Sequence, residues 1–201
     1  MLTSRLVSLR SSSATSADVC SGPGGRRVLR RTVPLRYGVV GTIDRLVVQA
    51  EAYSRQYTPD RPLAPALHLT IVACMDSRLD LFGLLGLQIG DAHVLRNAGG
   101  VITPDTIRSL AISQRRLDTR SVMLIHHTNC GMQTLTDDGF KAELQADTGM
   151  SPDWAVESFT DVASNVRQSL QRVRSNPFVP HRDDVRGFSF DVHTGRLHEV
   201  I

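Results

Sequence analysis

Cys74, Asp76 and Arg78 stand at the end of one apolar run, "HLTIVACMDSR", and His127 and Cys130 stand at the end of another, "SVMLIHHTNC". A single cysteine or histidine in such a place is best read as a small or hydrogen-bonded core residue. Taken together, beside an acid and an arginine that no core would hold, they are better read as chemistry. Two thiols and an imidazole meeting from separate strands make a three-ligand zinc set, and three protein ligands leave the fourth tetrahedral position for water, which distinguishes a catalytic from a structural zinc site. Asp76 and Arg78 are two residues apart, so they can share one side of the chain and pair beside such a metal. Alone, they would equally be an exposed ion pair at a helix start. A cysteine nucleophile activated by histidine is the poorer reading, because it leaves the second cysteine and the Asp-Arg pair without a role.

These residues need elements that bring them to one place. The stretches 68–74 and 121–127 are short apolar runs of the buried-strand type, and "AHVLRN" (92–97) is a weaker third. "LDLFGLLG" (79–86) follows the first strand as a helix. After Pro104, which suits a first helical turn behind Thr103, Ile107, Leu110, Ala111 and Leu117 share one face. An amphipathic helix begins at Thr42, read as its cap, with Ile43, Leu46, Val47, Ala50 and Tyr53 at helical spacing. A longer helix is expected over 155–174, with Val156, Phe159, Val162, Val166, Leu170 and Val173 in one stripe, and "TDDGF" (136–140) reads as a helix start without the ligand count of a calcium loop. "FSFDV" and "LHEVI" around Thr194-Gly195 read as a closing hairpin. Strands alternating with helices predict an α/β fold: a mostly parallel central sheet with an antiparallel C-terminal strand and helices on both faces. In such a sheet the carboxyl ends of parallel strands converge on one crevice, where Cys74, His127 and Cys130 all fall. Asn97, Gly99 and Gly100 shape a tight loop beside it, and Asn129 and Gly131 let the chain turn at the metal.

Composition sets the limits. The chain has 201 residues, enough for one substantial core, and no apolar run long enough to cross a bilayer. Its net charge is +3, but the first 40 residues hold seven arginines and one acid, so the remainder is acidic at −3, which argues against a nucleic-acid partner. Residues 1–36 are rich in Ser and Arg without apolar periodicity and read as a disordered or targeting-like extension, or as the product of a start placed too far upstream. Residues 37–201 read as a single zinc-binding catalytic domain. "SGPGGRR" (21–27) reads as linker rather than a phosphate loop, since no strand precedes it. Three cysteines, with Cys20 incidental, fit a reducing compartment, hence the cytoplasm, or an organelle if 1–36 is a transit peptide.

"CMDSR", "RNAG" (96–99) and "HHTNCGM" (126–132), with "GFSFDVHTG" near the end, resemble the beta class of carbonic anhydrases, in particular its short bacterial members. The resemblance runs from about Val40 to the C-terminus. It implies zinc bound by Cys74, His127 and Cys130, and Asp76 and Arg78 as the catalytic dyad. It further implies reversible hydration of carbon dioxide to bicarbonate and a proton by zinc-bound hydroxide, and a homodimer or higher homo-oligomer. In members of the class that close their site, the equivalent aspartate leaves the arginine and becomes the fourth ligand, so Asp76 counts as a ligand as well. Branches with a regulatory bicarbonate pocket differ here, since "HVLRNAGG" has no histidine immediately before Arg-Asn. Two alternatives stay open: hydrolysis of a sulfur analogue of carbon dioxide on the same scaffold, and a non-catalytic zinc site closed by Asp76. His93 and His126 stand as candidate proton relays.

Overall fold

The computed structural model describes residues 41–201. The expectations for 1–36, for "SGPGGRR" and for Cys20 lie outside the described residues. The chain divides into two compact units at Tyr57. The described part of the first contains helix α1 (Thr42–Ser54), capped by Gly41 rather than by Thr42. Gly41 is extended, and the Asp44 carboxylate reaches back to accept its N–H at 3.0 Å, so the first-turn acid ties down the start of the helix where no cap side chain is present.

The second unit is built on five strands, β1 (Leu69–Cys74), β2 (Ala92–Asn97), β3 (Ser121–His127), β4 (Val185–Phe190) and β5 (Leu197–Val200), in the order β2-β1-β3-β4-β5. The first four are parallel and β5 is antiparallel to β4, as the alternation of strands and helices predicts. β1 and β3 carry the longest unbroken apolar runs because they are the adjacent strands most deeply buried on both faces. The helices are α2 (Leu81–Leu85), α3 (Pro104–Arg116), α4 (Asp137–Thr148) and α5 (Val162–Arg174).

Register shows how the layers pack. Thr70 of β1, Val122 of β3 and Val185 of β4 lie side by side across the sheet. Thr70 Oγ1 meets Ser113 Oγ of α3 at 2.8 Å. Gly187, two residues on from Val185, lies so close to α5 that a Cβ there would stand 2.4 Å from Val166 Cγ1. Helices α3 and α5 therefore cover the same face. Ile71, Ala73 and Ile125 point to the opposite face and are equally inaccessible, and Leu79, Leu81 and Leu87 around α2 belong to the same core. Leu110, Leu124 and Ile125 are fully covered, and truncating any of them to alanine costs about 2–5 kcal/mol.

The helix expected over 155–174 begins at Val162, with the Asp161 carboxylate accepting from Ser164 N at 2.7 Å. Val156 and Phe159 are apolar at helical spacing but belong to a loop. Glu157 has φ 62°, outside the helical region, and the Asp137 carboxylate holds the loop by accepting from Glu157 N at 3.2 Å and from Ser158 N at 2.9 Å. Tertiary hydrogen bonds override the local pattern. Elsewhere the local signals match the structure: Thr103 caps α3 with Pro104 in its first turn, Thr136 caps α4, and Thr194-Gly195 turn the final hairpin.

Candidate metal centre

The parallel sheet delivers Cys74 at the end of β1 and His127 at the end of β3, and the chain turns directly after β3 to return Cys130. Asn129, at φ 54°, makes that turn in the left-handed conformation that asparagine tolerates. Gly131 is not among the residues with positive φ, so the turn does not draw on its freedom. Thr128 N donates to Phe190 O at 2.9 Å and Thr128 Oγ1 accepts from Val192 N at 3.2 Å, which ties the ligand loop to the hairpin.

Among the described residues, Cys74, His127 and Cys130 place their donor atoms within 4.8 Å of one another, all three buried. The two sulfurs are 3.9 Å apart and form no disulfide. His127 Nδ1–H donates to the carbonyl of Thr128 at 2.9 Å, which fixes the tautomer and turns the Nε2 lone pair inward. That Nε2 is fully buried and has no hydrogen-bond partner. It lies 3.7 Å from Asp76 Oδ2, beyond hydrogen-bonding distance. An orphaned inward-facing nitrogen beside two free thiols is the donor set of a soft or borderline divalent cation, and zinc fits it.

Proton affinities follow from this crowding. The Cys130 thiol donating to Cys74 pulls the Cys74 pKa down and pushes that of Cys130 up, since two thiolates this close cannot share the site without a cation between them. The nearby backbone N–H groups of Asp76 and Gly99 lower the Cys74 pKa further, and that of Met132 works against the rise at Cys130. Burial lowers the His127 pKa, but the Cys74 sulfur and the Thr128 carbonyl outweigh it and hold it above the ordinary value.

Asp76 and Arg78 meet as their spacing predicts. Arg78 Nε donates to Asp76 Oδ1 at 2.9 Å and Nη2 donates to Oδ2 at 2.7 Å, a two-pronged pair, and Arg78 N adds a third bond to Oδ1 at 2.9 Å. The guanidinium holds the carboxyl well below the usual carboxylate range. Arg78 Nη2 also donates to Asn129 O at 2.9 Å, so one side chain links the dyad to the metal loop.

The candidate relays fall elsewhere. His93 pairs with Thr70 near the start of β2, roughly 13 Å along the strand from its carboxyl end, and its Nδ1 lies 2.7 Å from Ser113 Oγ. It does not reach the cleft. His126 is fully buried, which pushes its pKa down to about 4, and its Nε2 is bonded to Gly100 O, so it has no path to solvent.

Two side chains that were assigned no role from the sequence also shape the centre. Arg96 of β2 donates to the carbonyls of Cys74 at 2.9 Å and Asp76 at 2.6 Å, holding the segment between ligand and dyad. Its signal was a charge inside an otherwise apolar strand. Gln133 accepts from Cys130 N at 3.1 Å and donates to Thr160 O at 3.0 Å, a bridge with no mark in the sequence.

A family model described as "Carbonic anhydrase" matches residues 69–155. The chain is 54% identical over 148 residues to Beta-carbonic anhydrase 1 of Mycobacterium tuberculosis, covering 74% of this chain and 91% of that one. It is 35% identical over 150 residues to a carbon disulfide hydrolase of Acidithiobacillus thiooxidans, covering 64% and 75%. The crystal structure of a carbonic anhydrase from Streptococcus mutans superposes with a TM-score of 0.76 at 40% identity, covering 82% of this chain and all of that one.

Proposed function

Since the chain belongs to the beta-carbonic anhydrase family, we propose that it catalyses the reversible hydration of carbon dioxide to bicarbonate and a proton, with zinc held by Cys74, His127 and Cys130. When bound, the metal supplies Lewis-acid activation of water near neutral pH. The chain's own residues do the rest. Asp76 Oδ2 faces the cluster from 3.7 Å and is the acceptor that holds the proton of the attacking water and aims its lone pair at the substrate. Arg78 keeps that carboxylate ionised and turned to its task, because its fork occupies both carboxylate oxygens. Two thiolate ligands offset the charge of the metal, so turnover is expected to rise into the alkaline range.

The observation that carries this reading is that Asp76 stands beside a three-ligand cluster and is bound to Arg78 instead of completing it. A permanently closed zinc site would need that pair broken. The test is stopped-flow hydration of carbon dioxide on protein whose zinc content has been measured. Zinc-dependent turnover supports the proposal. One zinc per chain without turnover overturns it in favour of a closed site or of the second reading, hydrolysis of carbon disulfide, which the Acidithiobacillus relative favours. Release of hydrogen sulfide from carbon disulfide decides between those two.

We also place the catalytic unit in residues 37–201, so deletion of 1–36 leaves turnover unchanged. The working form is a homodimer or higher homo-oligomer, read by sedimentation. Free Cys74 and Cys130 must stay reduced to hold metal, which fits the cytoplasm. Among the described residues, no helix is long and apolar enough to cross a membrane.

A further inference from the structure

β1 runs out of partners just before the dyad. Its pairing with β3 ends at Ala73 and Ile125, and its pairing with β2 ends at Cys74 and Asn97, with one further bond from Met75 N to Asn97 O at 2.8 Å. Cys74 is buried at the end of the strand and held by that ladder. Asp76 is the first residue past the last ladder bond. Its carbonyl accepts from Leu79 N at 3.1 Å, a bond within its own turn that does not tie it to the sheet. The tie to the sheet comes from a side chain.

Arg96 lies opposite Ala73 in the register of β1 and β2. An exposed arginine on an edge strand is ordinarily a solvated charge that discourages pairing with another chain. This one folds back onto the neighbouring segment. Nε donates to Cys74 O at 2.9 Å and Nη2 donates to Asp76 O at 2.6 Å, and among the described residues Arg96 forms no ion pair. A guanidinium fork ordinarily meets the two oxygens of one carboxylate. Here it meets two carbonyls, so the peptide units before Met75 and after Asp76 are both tied to β2. Arg78 does not supply this tie. It stands two residues from Asp76 in the same segment, so the pair can shift as one body against the cluster, restrained by the bond from Arg78 Nη2 to Asn129 O at 2.9 Å.

We propose that Arg96 is a positioning residue for the hydration reaction: by clamping the carbonyls of Cys74 and Asp76 to β2 it sets where the Asp76 carboxylate stands relative to the metal cluster, while Arg78 sets which way that carboxylate turns. Asp76 Oδ2 lies 3.7 Å from His127 Nε2. A group that orients an attacking water must hold its place to within about 0.5 Å, and a carboxylate on an unclamped segment does not. Cys74 keeps its place without the clamp, because the ladder holds it, so the loss of Arg96 falls on turnover and spares metal binding. The inference rests on the role given to Asp76 in the proposed function.

The experiment compares zinc-loaded Arg96→Met, which keeps the stem and removes the fork, with Arg96→Lys, which keeps the charge but can reach only one carbonyl. In Arg96→Met, kcat for carbon dioxide hydration is expected to fall roughly 10- to 100-fold with KM unchanged and zinc near one per chain. Arg96→Lys should recover part of that loss. Adding Arg78→Ala to Arg96→Met should lower turnover little beyond Arg78→Ala alone, since both arginines act through one carboxylate. Wild-type kcat in folded Arg96→Met, full recovery in Arg96→Lys, zinc lost in step with activity, or effects that simply multiply in the double variant each overturn the proposal. A second readout needs no turnover. In crystals of zinc-loaded Arg96→Met, Asp76 Oδ2 should move by about 0.5 Å or more against His127 Nε2 relative to the zinc-loaded wild type, with the two sulfurs in place; an unmoved carboxylate overturns the clamp. Zinc-loaded wild type without turnover would sink the proposed reaction instead, and the crystallographic comparison would then decide the clamp by itself. If Arg96→Met does not fold, Arg96→Lys takes its place in both readouts, with a smaller loss of kcat expected and wild-type kcat or an unmoved carboxylate overturning the proposal.

Discussion

Gly100→Ala would separate two costs that meet at one glycine. At φ 71° the residue is in the left-handed region, where an L side chain costs roughly 1–2 kcal/mol. A stiffer unfolded chain offsets roughly 0.4–1 kcal/mol of that. A Cβ would also stand 2.8 Å from Cys74 N and 2.9 Å from the Ala73 carbonyl carbon, backbone atoms of a fully buried strand that no rotamer change can move aside. Overpacking of this kind costs roughly 1–3 kcal/mol. Gly86 provides the control, because it shares the left-handed conformation at φ 65° but a Cβ there meets nothing within 4 Å. Urea unfolding of the two variants should show a loss of about 1 kcal/mol for Gly86→Ala and about 2–4 kcal/mol for Gly100→Ala. Metal retention should weaken only in Gly100→Ala, since the displaced strand carries Cys74. Equal losses in the two variants would refute the close approach of the turn to the backbone of β1.

Arg78→Ala should lower turnover on the order of 100-fold through a misplaced carboxylate while zinc content stays near one per chain, and Arg78→Lys should rescue little because a point charge cannot reproduce the fork; wild-type rates in either variant would contradict the role of the dyad. Asp137 accepts from Ser158 Oγ at 2.5 Å and from two loop amides, and the Ser158 hydroxyl foremost holds its pKa below the ordinary value. A depressed folded pKa gives stability that is complete above the unfolded value of about 4 and drains away as pH falls through the lower folded value. Asp137→Asn should thus cost about 1 kcal/mol at neutral pH, allowing for water on its open side. The gap should close in acid, and chemical denaturation that shows a constant gap from neutral pH to strong acid would contradict this. Chelation should lower the melting temperature, and zinc restored at 1,000 times its dissociation constant should return about 4 kcal/mol; a melting temperature indifferent to chelator would argue against a metal bound at the cluster.

The positions of Cys74, Asp76, Arg78, His127 and Cys130 were legible in the sequence because each follows an apolar run that only a buried strand explains, and parallel strands must end on the same edge. Cap and turn chemistry at Thr103-Pro104, Thr136 and Thr194-Gly195 is equally local, a matter of a few neighbouring backbone groups. What the sequence left open depends on partners distant in the chain. Phe159 and Val156 have helical spacing, yet a carboxylate 20 residues away at Asp137 pins their loop, and only then is Phe159 free to cover Gly99. Arg96 looks like an exposed charge until register places it beside the carbonyls of Cys74 and Asp76. His93 and His126 are alike as letters, and the tertiary structure sends one to the far end of β2 and seals the other against Gly100. Local patterns reflect short-range sterics and burial, which each segment carries within itself. Hydrogen bonds such as those of Arg96 to the carbonyls of Cys74 and Asp76 join segments that meet only once the sheet has formed, so they belong to the tertiary structure.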